Sequence, residues 1–113
     1  MIERIMNQQR ETYIANLKES ILPMKELLKD FSLEGNEGRL DDLRRYFHTI
    51  RGTAQTLHIK GLGIIGTRYD AGLTKLAKTD AEAEEYVKLL EEGFDAVQKE
   101  LERYEGPQGG TSL

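Results

Sequence analysis

Apolar residues recur every three or four positions along almost the whole chain, and no stretch alternates in the manner of a strand. The first stripe runs Ile2, Ile5, Tyr13, Leu17, Ile21, Met24, Leu28 and Phe31, with Gln9 filling one of its positions. Pro23 lies within it, which predicts a kink or break near Leu22. The segment LEGNEG then interrupts the pattern, with Asn36 placed to cap the next helix. A second stripe carries Leu40, Leu43, Phe47, Ile50, Ala54 and Leu57, and its helix is expected to end near His58, with a link through Lys60 and Gly61. A third reads Leu62, Ile65, Tyr69, Leu73 and Leu76. Thr79 and Glu82 have capping-box spacing and are expected to open a fourth helix through Tyr86, Leu90, Phe94, Val97, Leu101 and Tyr104.

Amphipathic helices joined by short links bury their stripes toward a shared axis. The expectation is an all-α protein, an antiparallel four-helix bundle with an additional or kinked N-terminal helix, over residues 1–105. Residues 106–113, GPQGGTSL after the last period, read as a flexible tail or a linker to a possible following domain.

Composition narrows the class. A chain of 113 residues has room for one core, and it contains no cysteine, so neither a disulfide framework nor a thiolate metal site is available. The opening MIERIMNQQRETY lacks an apolar signal region, and no apolar run is long enough to cross a bilayer, so a cytoplasmic protein is expected. A net charge of −4 argues against general nucleic-acid binding. The charge is unevenly spread: Arg39, Arg44, Arg45, Arg51, Lys60 and Arg68 face only Asp41 and Asp42 in the middle of the chain. A basic middle in an acidic protein suits a phosphate or an acidic partner, although charge also fluctuates along any helix surface.

The second helix carries the candidate chemistry. At about 100° per residue, His48 falls roughly 120° from the centre of its apolar stripe and should face water. Arg44, Arg51, Gly52 and Gln55 fall on the same flank. Gly52 is costly inside a helix, by about 1 kcal/mol relative to alanine. Placed one turn after His48, it leaves space beside the imidazole, or else it admits a neighbouring helix. Arg51 can donate a fork of hydrogen bonds to phosphate oxygens, and its charge disfavours a second cation on the ring. An imidazole with space and a guanidinium beside it is suited to accept a phosphoryl group.

His48-Thr49-Ile50-Arg51-Gly52-Thr53-Ala54 closely resembles the signature of histidine-containing phosphotransfer (HPt) domains, commonly H-x-[LI]-K-G-[SA]-A. The likeness continues through QTLHIKGLGIIGTRYDAGL and covers the helical layout of most of the chain. It implies that His48 is the phosphoacceptor, that Arg51 replaces the usual phosphate-contacting lysine, and that Gly52 gives room. Gln55 and Arg44 would be outer support. Asp70 falls where the family often carries Glu or Gln on the facing helix. Departures are Thr53, His58 where glycine is common, and Asp70, whose charge would oppose a phosphohistidine. Ile59, Leu62 and Ile64 are the expected partner-docking residues, Ile64 alternatively packing on the N-terminal segment.

The resemblance implies a phosphorelay intermediate that exchanges a phosphoryl group with the aspartate of a response-regulator receiver domain. A sensor histidine kinase is a second partner, possibly on the same polypeptide. The chain would be no autonomous enzyme and would need no cofactor, because Mg²⁺ belongs to the receiver. The alternative is a phosphate-independent helical interaction module, a degenerate member of the same family. Two other signals are set aside. Gly61-Leu62-Gly63-Ile64-Ile65-Gly66 matches a dinucleotide string but follows a helix where that motif needs a strand. His48 and His58 lack the spacing of a metal pair.

Overall fold

The α1 helix, Ile2–Glu26, is continuous through Pro23. The expected break near Leu22 is absent. Pro23 lies in the last turn and is exposed, as is Glu19, whose carbonyl would have received the missing N–H, so water can satisfy that group. Beyond Glu26 the chain tightens into a 3₁₀-like turn, with Leu27 N donating to the Met24 carbonyl and Leu28 N to that of Lys25, both at 3.1 Å. Three further helices follow: α2 (Glu37–Thr56), α3 (Lys60–Ala77) and α4 (Ala83–Glu102). The computed structural model describes residues 2–29, 31–32, 34 and 37–104. The expected cap at Asn36 and the tail at 106–113 lie outside them.

The four helices form an all-α bundle around the predicted stripes. Leu43, Phe47, Ile50 and Ala54 from α2, Leu62 and Leu73 from α3, and Leu90, Phe94 and Val97 from α4 are fully enclosed, with Leu17 and Ile21 of α1 closing the core. Ile14, which lies off the predicted α1 stripe, joins them. Phe47 and Phe94 stack with tilted rings 5.1 Å apart. Gly93 permits this, since a Cβ there would come within 2.6 Å of the Phe47 ring. Helices α2 and α3 make the most intimate pair, and Gly66 is the reason: a Cβ at that position would lie 2.6 Å from the Arg51 backbone nitrogen. Helix α1 is fastened to α4 by Lys25, whose Nζ reaches Asp95 at 3.0 Å and Gln98 at 2.8 Å. Polar contacts tie it to α2 and to the residue just beyond it, Arg10 Nε donating to the Leu57 carbonyl at 2.6 Å and Ser20 Oγ lying within 3.1 Å of the Tyr46 hydroxyl.

Two junctions differ from expectation. The α2–α3 link is Leu57–Ile59, and Lys60 and Gly61 already belong to α3. His58 takes a left-handed conformation (φ 58°), with Ile59 N donating to the Ala54 carbonyl at 2.8 Å and His58 N to that of Gln55 at 3.2 Å. These are the paired bonds of a Schellman cap, a turn that buries the residue after the left-handed one against the helix end. Ile59 is accordingly buried, and so is Leu62 one turn of core later, so neither can meet a partner as expected. At the α3–α4 junction the cap falls three residues later than Thr79. The Glu85 side chain accepts from the Glu82 N–H at 2.9 Å, while the Thr79 hydroxyl turns back to the Leu76 carbonyl. No helix among the described residues is long and apolar enough to cross a membrane.

Candidate functional site

His48 sits on the outer face of α2 with its side chain 72 % exposed, between helices α1 and α3. Its neighbours on α2 fill different flanks. Arg51 leans toward α3, and Gly52 toward α1.

On the α3 side, Asp70 rises to meet the ring. Its Oδ2 lies 3.1 Å from His48 Nδ1, and the same oxygen accepts from an Arg51 terminal nitrogen at 3.1 Å. The Asp70 side chain is only 13 % exposed, whereas that of Arg51 is 47 % exposed. Gly66, one turn before Asp70, draws α3 close enough for this carboxylate to reach across. An ionised carboxylate only accepts, so Nδ1 is the nitrogen that carries the proton in this pair. In the neutral ring this leaves Nε2 with its lone pair, on a side chain that projects into solvent. A neutral imidazole held in one tautomer with Nε2 open is a nucleophile ready for an electrophile approaching from outside.

Arg51 does not stand free beside the ring, as the sequence suggested, but is paired with Asp70. Charge near His48 is therefore balanced within a three-residue cluster. On the other side, a Cβ added at Gly52 would meet nothing within 4 Å among the described residues. Gly52 thus provides open space next to the imidazole and is not a helix-packing glycine, unlike Gly66 and Gly93, whose Cβ atoms would press on a neighbouring helix.

Gly52 opens into a groove of about 830 Å³ between α1 and α2, shared by His48, Thr49, Thr12, Asn16 and Tyr13. The periodicity of the chain carried no signal for this groove, because it depends on where α1 comes to lie. Burial and the neighbouring Tyr46 phenol push Tyr13 up to about 12; nearby Thr53 offsets only part of this, and among the described residues the enclosed hydroxyl has no hydrogen-bond partner of good geometry.

The remaining expected residues are dispersed. Arg44 is half-buried one turn before His48 and outside the His48–Asp70–Arg51 cluster. Gln55 lines a separate groove of about 650 Å³ between α2 and α3, together with Lys60, Ile64 and Arg68. Ile64 is 63 % exposed there and is the one expected docking residue that reaches the surface. Among the described residues no group of three or more His, Asp or Glu side chains is arranged to hold a metal ion.

No protein-family profile, curated protein or solved structure matches the chain.

Proposed function

We propose that this protein is a histidine-containing phosphotransfer module, in which His48 accepts a phosphoryl group from the aspartate of a receiver domain and passes it on. The observation that carries the reading is the ring itself: an exposed imidazole whose Nδ1 is held by Asp70 at 3.1 Å, beside a helical glycine with nothing in front of it. In the transfer, Nε2 attacks phosphorus, the N–P bond forms and the aspartyl O–P bond breaks. The Nδ1 proton stays in place through the step, and the resulting cationic ring remains paired with Asp70. In the reverse direction the same proton lets the ring leave as neutral imidazole. The chain contributes positioning and charge stabilisation, in keeping with the demands of phosphoryl transfer. Mg²⁺ and the other half of the site come from the receiver, so the protein is a phosphoacceptor with no cofactor of its own, acting in the cytoplasm. The Ile64 surface, flanked by Lys60 and Arg68, offers the partner an apolar contact within a basic rim.

The test is to incubate the chain with a phosphorylated receiver and follow an acid-labile adduct, with His48→Ala as control. Label on the wild-type chain alone supports the reading, whereas no label across a panel of receivers, or equal label on the alanine variant, removes it. One observation favours the alternative, a phosphate-independent interaction module: the Asp70 carboxylate beside His48 repels a phosphoryl group, and Arg51 is engaged in neutralising that carboxylate. On that reading the alanine variant binds a signalling partner as well as the wild type does.

A further inference from the structure

The cluster on α3 leaves a question of where phosphoryl oxygens would rest. Arg51 is drawn to Asp70, so on the α3 side the guanidinium is already engaged by a carboxylate. The open side is that of Gly52, toward α1. None of the residues lining the α1–α2 groove is acidic. Two contacts give their antiparallel register, Arg10 meeting Leu57, the residue just past the end of α2, and Ser20 meeting Tyr46 within it. Gln8 and Gln9 therefore lie by the Leu57 end of the groove, and Asn16 lies level with the turn that holds His48 and Gly52. Asn16 is exposed, and its amide has no hydrogen bond among the described residues. An amide offers two N–H donors and, being neutral, holds an anion without trapping it.

Resting on the phosphoacceptor reading of His48, we infer that Asn16 of α1 is a phosphoryl-positioning residue, its amide donating to the oxygens of a phosphoryl group carried on His48 Nε2 across the space opened by Gly52. The role belongs to α1, a helix on which the sequence pattern places no chemistry.

Phosphoramidate labels the full chain without a partner: His48 Nε2 bonds to phosphorus, the P–N bond of the reagent breaks and ammonia leaves. The wild type, Asn16→Ala and Asn16→Gln are labelled and followed by two readouts, the lifetime of the phosphohistidine and the side-chain amide resonances of Asn16. The expected result is a shift of the Asn16 amide pair on labelling and a phosphohistidine lifetime about threefold shorter in Asn16→Ala, the scale of one exposed hydrogen bond, with partial recovery in Asn16→Gln. Labelled His48 with unmoved Asn16 resonances and equal lifetimes overturns the inference and leaves the phosphoacceptor reading intact. A wild-type chain that takes no label on His48 overturns both.

Discussion

A single oxygen of Asp70 serves two α2 residues, lying 3.1 Å from His48 Nδ1 and accepting from Arg51 at 3.1 Å. In the neutral ring, the His48–Asp70 contact therefore favours the tautomer with Nε2 free. Asp70→Ala removes the acceptor, and the ring should then populate both tautomers, read directly from its nitrogen chemical shifts. Labelling of His48 should slow on the order of tenfold, the lower end of what outer-shell partners contribute to the histidines they orient in metal sites. A wild-type ring already divided between tautomers would show that Asp70 does not control it.

Gly52 and Gly66 give opposite predictions. Gly52→Ala meets open space and removes a flexible residue from a helix, so it should stabilise the fold by about 0.5–1 kcal/mol while slowing phosphoryl acceptance by filling the space beside His48. Gly66→Ala drives a Cβ into the Arg51 backbone and should destabilise by roughly 1–3 kcal/mol. Denaturant titration of the two variants checks the sign of each, and a gain at Gly66 would show that the two helices can part without loss.

His58 holds a left-handed backbone that costs a non-glycine residue about 1 kcal/mol. His58→Gly should recover most of that amount in equilibrium unfolding and leave His48 labelling unchanged, because His58 shapes the cap and stands apart from the Asp70 cluster.

The Tyr13 hydroxyl is enclosed without a good partner, and burial pushes it up to about 12. Tyr13→Phe removes that uncompensated group and should be neutral or stabilising by up to about 1 kcal/mol. The pH dependence has a definite sign. Above pH 10 the unfolded chain ionises this phenol while the native state keeps its proton until about 12, so stability falls across that interval. Burial raises Tyr46 in the same direction. The stabilities of wild type and Tyr13→Phe should run parallel from neutral pH to about 10 and diverge above it, the phenylalanine variant losing less.

Much of the fold was legible in the chain by itself. The three-four spacing in α2, α3 and α4 named most of the core, because a helix places residues on faces by local geometry alone. The same geometry put His48 outward and set Gly52 one turn away. Tertiary structure decided the rest. Whether Gly52 gives space or lets helices touch depends on which helix lies opposite, and Gly66 proved to be the contact glycine. Ile59 was expected to meet a partner, but a left-handed His58 folds it back onto Ala54, an outcome set by a single φ angle. Pro23 looked like a break because its missing N–H was counted and its exposed, end-of-helix position was not. Arg51 was expected to wait beside the imidazole; the close approach of α3 instead supplied Asp70, and a partly buried carboxylate draws the nearest guanidinium. His48 and its open space follow from one helix, but the carboxylate that meets its Nδ1 and the groove at its side exist only once three helices have packed.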